Sequence, residues 1–264
     1  MQTRELILSD THAHLESYTP ETLDELITRA QEKGIRTIIA NGITLRSSAQ
    51  SVEIARRYPF IWATVGLHPF YAARLRNAVG DVRKLAGDER VVGIGEIGLD
   101  FQRFPDTREA QIPLFAEQLE LACELDLPVV IHTKAAHRET LEAIRMSGIP
   151  DGYGILQGFR DDVSILEDWL KLGFYLSIGP TIVIEPTGAL AETIRQIPPE
   201  KLLLETDAAA RRTLSEGLEL ATLRPIAEKV AEIRKVSLED IAGLTHANLM
   251  KIFRLAAVPP RSLP

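Results

Sequence analysis

Eight short apolar runs recur along the chain and alternate with longer segments of helical spacing. Most runs are continuous strings of apolar residues, which is typical of strands buried on both faces and favours a parallel sheet. Eight strands with intervening helices predict an α/β fold, the (β/α)8 TIM barrel. In chain order, the runs are ELILSD, IRTIIAN, FIWATVG, VVGIGE, PVVIHT, YGILQ, GFYLSI and KLLLET.

Helix start and stop signals support this division of the chain. PETLDELITRAQEKG begins after Thr19 and ends at Gly34, and DDVSILEDWLKLG has acidic residues at its head and Gly173 at its end. The segment EGLELATLRPIAEKVAEIRKVSLEDIAGLTHANLMKIFRL is purely helical, which predicts extra C-terminal helices that close the barrel. Barrel domains commonly run to about 250 residues. We therefore expect a single domain over 1–264, with a loosely held Pro-rich tail at about 256–264.

The main alternative fold is a doubly wound open sheet. Such folds often bind nucleotides through a Gly-rich first turn, whereas the first turn here reads DTHAH. The barrel is the preferred prediction.

The composition of the chain indicates in which cellular compartment the protein lies and which partners it can bind. The net charge of −7 argues against broad electrostatic adhesion to nucleic acid or anionic membranes, although it allows a local basic rim. No apolar stretch reaches the roughly 20 residues of a membrane span. Cys123 is the one cysteine, which fits a reducing compartment, and its helix FAEQLELACELDLP predicts a core position for it. We expect a cytoplasmic protein without membrane contact, and a monomer is slightly favoured.

Polar residues follow the apolar runs at or just beyond the point where each run ends. In a barrel, these ends meet at the active-site face. Burying so many unpaired polar groups would cost several kcal/mol, whereas a shared cation would satisfy them. Imidazoles and carboxylates are also the ligands of open catalytic metal sites. The candidate residues are His12, His14, His68, Glu96, His132, Gln157 and Asp207.

The ordered motifs resemble those of the TatD family of metal-dependent hydrolases, within the amidohydrolase-like barrels. The resemblance runs from Ser9 to about Phe253. It implies a site for one or two divalent cations (zinc, manganese or magnesium) and hydrolysis of phosphodiester bonds, typically exonuclease action on DNA. The motifs are DTHAHL, VGLHPFYA, IGEIGLDF, PVVIHTKAA, LLLETD and HANLMKIF.

The resemblance also implies how the cations are held. His12, His14 and Asp207 bind the first cation, Glu96 bridges to a second cation, and His132 binds that second cation.

A second histidine would complete the second cation site in a motif resembling HCF. The motif reads QGF in this chain, so that Gln157 is a weak or absent ligand. An amide oxygen is a harder and weaker donor than an imidazole, so we expect weaker binding or a shift toward magnesium. His137, in KAAHRE, is the alternative replacement.

A mechanism follows from these assignments. A cation held by these residues would supply a water whose pKa is lowered toward neutrality, as attack on the phosphorus or a carbonyl carbon requires. Asp207 accepts the proton, Glu96 orients and bridges, and His68 contacts substrate or supports the ligands. Glu205 and Asp100 are expected to support the ligands, and His246 is expected to pack on the late helices.

Basic residues in the predicted mouth loops favour an anionic substrate such as DNA or another phosphodiester. The sequence LETDAAARR departs from the family's usual ETD-S-P-Y-like pattern, which alters the rim beside Asp207. Two alternatives stay open: hydrolysis of a small-molecule amide, ester or lactone, and a degenerate, non-catalytic member because of Gln157. The basic residues are Arg103, Lys134, Arg138, Arg160, Arg211 and Arg212.

Overall fold

The computed structural model describes residues 6–75, 78–150, 153–209 and 219–255. Eight strands form one parallel sheet in which each strand pairs with the next along the chain. All eight runs predicted as strands are confirmed. They are β1 (Leu8–Ala13), β2 (Ile35–Asn41), β3 (Ile61–Val65), β4 (Val91–Asp100), β5 (Val129–Lys134), β6 (Gly154–Leu156), β7 (Tyr175–Ile178) and β8 (Leu202–Leu204).

Helices connect the strands on the outside of the sheet and continue after its last strand. Among the described residues they are α1 (Pro20–Glu32), α2 (Leu45–Arg57), α3 (Val79–Ala86), α4 (Arg108–Leu125), α5 (His137–Ser147), α6 (Val163–Lys171), α7 (Thr181–Ile184), α8 (Gly188–Gln196), α9 (Leu223–Arg234) and α10 (Leu238–Ile252). Their termini confirm the predicted signals. The Thr19 hydroxyl accepts a bond from Thr22 N at the start of α1, and Gly34 follows its end with φ of +91°. No helix within the described ranges is long and apolar enough to cross a membrane.

The sheet closes on itself where β8 returns to β1. Ala13 and Ala208 form a parallel bridge, Asp207 N donates to His12 O, and His14 N donates to Ala208 O. The buried Asp10 carboxylate accepts bonds from the Thr206 backbone and hydroxyl across the same seam. The barrel prediction is confirmed, and the seam joins two of the predicted ligand motifs directly.

The C-terminal helices contribute to the core of the barrel. Residues near the starts of β4, β5 and β7 share an apolar cluster with Leu249, Ile252 and Phe253 at the end of α10. His246 is half-buried on the same helix, and its Nδ1 lies 2.8 Å from the Ser9 hydroxyl, which fits the expected packing role. The predicted loose tail lies outside the described residues.

The core position expected for Cys123 is wrong. Cys123 is exposed near the C-terminal end of α4, where Leu119, Leu121 and Ala122 supply the buried face. The helix segment is apolar enough that periodicity alone did not distinguish the face on which the thiol lies.

Candidate metal centre

The carboxyl ends of the strands bring the predicted ligands together although they are far apart in sequence. His12 lies in β1, Glu96 in β4 and His132 in β5, and all three are buried. His14 follows β1 directly, and Asp207 follows β8 with a left-handed backbone, φ +50°. Gly98 allows β4 to approach β5 at this level, because a Cβ there would lie 1.9 Å from the His132 carbonyl oxygen.

One group of these side chains, here called the first cluster, consists of His12, His14 and Asp207. The Nε2 atoms of His12 and His14 are 3.3 Å apart. Asp207 Oδ1 lies 3.4 Å from His14 Nε2 and 3.9 Å from His12 Nε2. Three ligand-type atoms therefore face one point.

Asn41 sets the tautomer of His14. Its carbonyl oxygen lies 3.1 Å from His14 Nδ1, and a carbonyl can only accept, so Nδ1 carries a proton and Nε2 is the nitrogen that can bind a cation once its own proton is displaced. The Asn41 side chain is itself held by a bond from the Thr64 hydroxyl to Oδ1, 2.6 Å long. Sequence reasoning missed Asn41, although it ends the predicted run IRTIIAN.

A second group, here called the second cluster, consists of His68, Glu96 and His132. His132 Nδ1 lies 3.0 Å from Glu96 Oε1, and His68 Nε2 lies 3.5 Å from the same oxygen. His132 Nε2 lies 3.2 Å from the fully buried Asp100, which therefore supports and orients the ring as expected. The sequence placed His68 at the mouth but did not place it in this cluster.

Glu96 lies between the two clusters and faces both. Its Oε2 is 3.4 Å from His12 Nε2 and 3.6 Å from His14 Nε2, whereas its Oε1 faces His132. Burial opposes ionisation of Glu96, but the surrounding imidazoles, His68 and His12 foremost, hold its pKa well below the usual range. A buried, ionised carboxylate between two groups of imidazoles is the arrangement expected of a bridging ligand.

The carboxylates that surround His14 change its pKa. Burial alone would lower its pKa, but the hydrogen bond with Asp207 and the charge of Glu96 raise that pKa to about 10. In the cation-free protein this imidazole is therefore protonated at neutral pH, and a cation must displace the proton to bind there.

Gln157 adjoins the second cluster. Its Nε2 lies 3.0 Å from Glu96 Oε1 and 2.9 Å from His132 Nδ1. The alternative replacement, His137, is in neither cluster: its Nε2 pairs with Asp161 at 3.1 Å, and its Nδ1 accepts a bond from Trp169. The start of α5 therefore directs His137 toward Asp161 and α6.

Glu205 lies under the mouth beside Asp207. It is fully buried, and neither carboxylate oxygen has a hydrogen-bond partner within the described ranges. Burial raises its pKa to about 8, so the group keeps its proton at neutral pH in the cation-free protein.

The predicted basic residues differ in their surroundings. Lys134 ends β5 and is half-buried, and burial, followed by the charge of Arg160, lowers the pKa of its ammonium. Arg103 and Arg160 are exposed, and exposed Arg138 pairs with Glu139 at 3.2 Å. Arg211 and Arg212 lie outside the described residues.

An aromatic group was not anticipated from the sequence. Phe70 follows His68 in the loop after β3 and is 47% exposed, and its backbone N donates to His68 Nδ1 at 3.1 Å. Its ring contacts Phe104, from the loop after β4, edge to face at 4.5 Å. Two neighbouring mouth loops thus present an apolar ring surface beside the second cluster.

The barrel and its two clusters place the protein in the class of metal-dependent hydrolases built on amidohydrolase-like barrels. The chain belongs to the TatD family: the family profile described as TatD related DNase matches residues 9–254. The resemblance noted in the sequence is therefore confirmed.

Relatives of known name support the same class. The chain is 30% identical to the uncharacterized metal-dependent hydrolase YabD of Bacillus subtilis, over 94% of this chain and 100% of YabD. It is 34% identical to the 3'-5' ssDNA/RNA exonuclease TatD of Citrobacter rodentium, over 87% of this chain and 91% of the relative. The crystal structure of YjjV, a TatD homologue of Escherichia coli K12, superposes with a TM-score of 0.83 at 27% identity, covering 94% of this chain and 98% of YjjV.

Proposed function

We propose that this protein removes nucleotides from the ends of single-stranded DNA or RNA by cation-dependent hydrolysis of phosphodiester bonds. The observation that carries the proposal is the position of Glu96, whose two oxygens face two separate groups of imidazoles at one barrel mouth. Paired cation sites of this kind suit in-line displacement at phosphorus. The exonuclease named among the relatives supports the choice of a nucleic acid over a small molecule.

The donor set fits divalent cations. His12, His14 and Asp207 would hold one cation, and Glu96 and His132 would hold another, with Glu96 shared between them. Bound there, the cations would lower the pKa of a water and offset the negative charge of the phosphate. Zinc, manganese and magnesium all accept imidazole and carboxylate ligands.

The remaining side chains have separate tasks. Asp207 has a side chain that is 30% exposed, so it can accept the proton of the attacking water. Burial lowers the pKa of His68, and because Nδ1 accepts from Phe70 N, the neutral ring carries its proton on Nε2, which faces Glu96 and would turn to a phosphate oxygen when substrate binds. The phosphate backbone would be attracted by Lys134 and by the exposed Arg103 and Arg160 at the rim. Arg211, which lies outside the described residues, would contribute in the same way.

Digestion of end-labelled oligonucleotides tests the proposal. Single-stranded DNA, single-stranded RNA and duplex DNA are each incubated with zinc, manganese or magnesium, alongside simple phosphodiesters, amides and lactones. We expect stepwise loss of terminal nucleotides from the single strands, abolished by a chelator. Hydrolysis of an amide or lactone without loss of nucleotides would show that the substrate is a small molecule. Hydrolysis of none of these compounds would support a non-catalytic role.

Phe70 provides a prediction about substrate affinity. Stacking of a base on an aromatic ring contributes about 1–3 kcal/mol, so Phe70→Ala should raise KM for single-stranded DNA about 10-fold and leave cation binding unchanged. Steady-state digestion and calorimetry measure the two quantities. Met146→Ala is the matched control, because Met146 is an exposed apolar side chain on α5, 88% exposed. Equal KM values for the Phe70 variant and the wild type would show that Phe70 does not contact the substrate.

Cytoplasmic location, a single domain over 1–264 and a monomeric state stay predictions.

A further inference from the structure

Phe70 and Phe104 form an aromatic surface at one side of the barrel mouth, here called the aromatic wall. Phe70 lies in the loop after β3 and Phe104 in the loop after β4. The Phe70 ring meets the Phe104 ring edge to face, with the centroids 4.5 Å apart, and it also meets the Tyr71 ring at 4.6 Å. Aromatic pairs favour this geometry, so the two neighbours fix the orientation of the Phe70 ring.

Phe70 is exposed although it has two aromatic neighbours. It is 47% exposed, and among the described residues the other exposed large apolar side chains are Met146 and Val236. Met146 lies in the last turn of α5 and Val236 follows α9, so neither belongs to a loop that follows a strand. An aromatic ring left in water forgoes the free energy of burial. A ligand with a flat apolar face would recover that free energy at the mouth.

The loop of Phe70 is bonded to the second cluster. The Phe70 N–H donates to His68 Nδ1 at 3.1 Å, and His68 Nε2 in turn lies 3.5 Å from Glu96 Oε1. The aromatic wall therefore stands beside the place where the proposed function puts the scissile phosphate.

A buried glutamine fixes the loop of Phe104. Gln111 on α4 donates through Nε2 to the carbonyl oxygens of Asp100 and Phe104, at 3.1 and 2.9 Å, and its Oε1 accepts a bond from Asp100 N at 2.8 Å. The Asp100 carboxylate lies 3.2 Å from His132 Nε2. Asp100 thus connects the loop of Phe104 to the second cluster, and the aromatic wall is preorganised for a ligand.

Cationic side chains lie on the loops that come next around the barrel. Lys134 ends β5 and Arg160 follows β6, whereas the aromatic wall follows β3 and β4. The phosphates of a strand suit the cations, and the flat face of a base suits the rings. A strand with its scissile phosphate at Glu96 can therefore place its terminal base on the aromatic wall and continue its backbone past Lys134 and Arg160. Arg103, next to Phe104, adds one exposed cation for the phosphate of the terminal nucleotide.

We propose that the aromatic wall is the subsite for the unpaired terminal base of the substrate strand, and that Phe104 together with Phe70 thereby selects single-stranded ends over duplex ends. This inference rests on the proposed function, because it assigns a part of the same substrate. A base at a duplex end is paired and stacked, so it reaches the rings only after it leaves the helix, which costs free energy. An unpaired base stacks on the rings without that cost.

Binding of modified strands tests the subsite. Fluorescence anisotropy follows an internally labelled single strand whose end linkages are phosphorothioates, which slow hydrolysis, in the presence of the full-length protein and manganese. The strand carries an abasic residue at the 3' end, at the 5' end or in the middle. We expect an abasic residue at one end to weaken binding to the wild type about 10-fold, and an abasic residue in the middle to weaken it less than about twofold.

Variants assign the loss to the rings. Phe104→Ala and Phe104→Leu should bind the intact strand about 10-fold more weakly than the wild type and lose no further affinity when the terminal base is removed. Leucine keeps an apolar side chain beside Phe70 but has no flat face, so agreement between the two variants separates stacking from packing. A blunt duplex should bind equally to these variants and to the wild type. Phe60→Ala is the control, because Phe60 is half-buried against Tyr58 before β3.

Equal losses of affinity in the Phe104 variants and the wild type on removal of the terminal base would overturn the inference, and so would a wild type that loses none. A protein that binds strands through the aromatic wall but digests none loses only the proposed hydrolysis. A protein that digests strands without dependence on the terminal base loses only this inference, and a protein that binds no strand loses both.

Discussion

The substitution Asp207→Asn should lower the rate of hydrolysis about 10³-fold and leave the fold intact. The change removes a negative charge from the first cluster and the group that we expect to accept a proton. Asn keeps the size of the side chain and tolerates the left-handed backbone at this position, φ +50°. Single-turnover digestion with saturating cation measures the rate, and calorimetry measures the accompanying loss of cation affinity.

Asp126→Asn is the matched control for this change. Asp126 has nearly the same backbone conformation, φ +52°, but lies exposed at the end of α4, where it pairs with Arg254. Its variant should digest nucleic acid at the wild-type rate. If the variant at 207 keeps wild-type activity, Asp207 has neither of the roles assigned to it.

Replacing the ionisable carboxyl group at position 205 with an amide should abolish a large pH dependence of the free energy of unfolding. The buried Glu205 has a pKa raised by burial from 4.5 to about 8, so the cation-free native state binds more protons than the unfolded state between these values. Its stabilising contribution is complete below pH 4.5 and is lost as the pH rises through 8. Each pH unit in this window lowers the free energy of unfolding by up to about 1.4 kcal/mol, which amounts to about 4 kcal/mol from pH 5 to pH 8.

Glu205→Gln should equal the wild type in stability near about pH 5 and exceed it near about pH 8, because glutamine resembles the protonated acid. Urea denaturation of chelator-treated protein at several pH values measures this difference. The exposed Glu120 on α4 provides the control Glu120→Gln, which should follow the wild type at every pH. Parallel curves for Glu205→Gln and the wild type would show that Glu205 is ionised in the native state.

The fold could be predicted from the sequence because each strand is buried on both faces. Continuous apolar runs such as IRTIIAN and PVVIHT have few interpretations when they alternate with helices. The ligands at their ends could be predicted for the same reason, since the carboxyl ends of barrel strands meet at one face. Cys123 marks the limit of periodicity, because its helix segment is apolar on more than one face.

Side-chain geometry within the mouth could not be predicted from strand order. The tautomer of His14 depends on the Asn41 carbonyl, and that of His68 depends on the Phe70 backbone N–H. The first contact joins the ends of β1 and β2, whose register a single sequence does not specify, and the second depends on the local turn of the loop after β3. The contact of Gln157 with both Glu96 and His132 likewise needed coordinates, although the amide itself was visible in QGF.

Anomalous diffraction from crystals grown with zinc and manganese shows whether the barrel mouth holds the cations. We predict one peak among His12, His14 and Asp207 and a second peak beside Glu96 and His132. Peaks located elsewhere, or a mouth without a peak in crystals that contain both ions, would contradict this account of the protein.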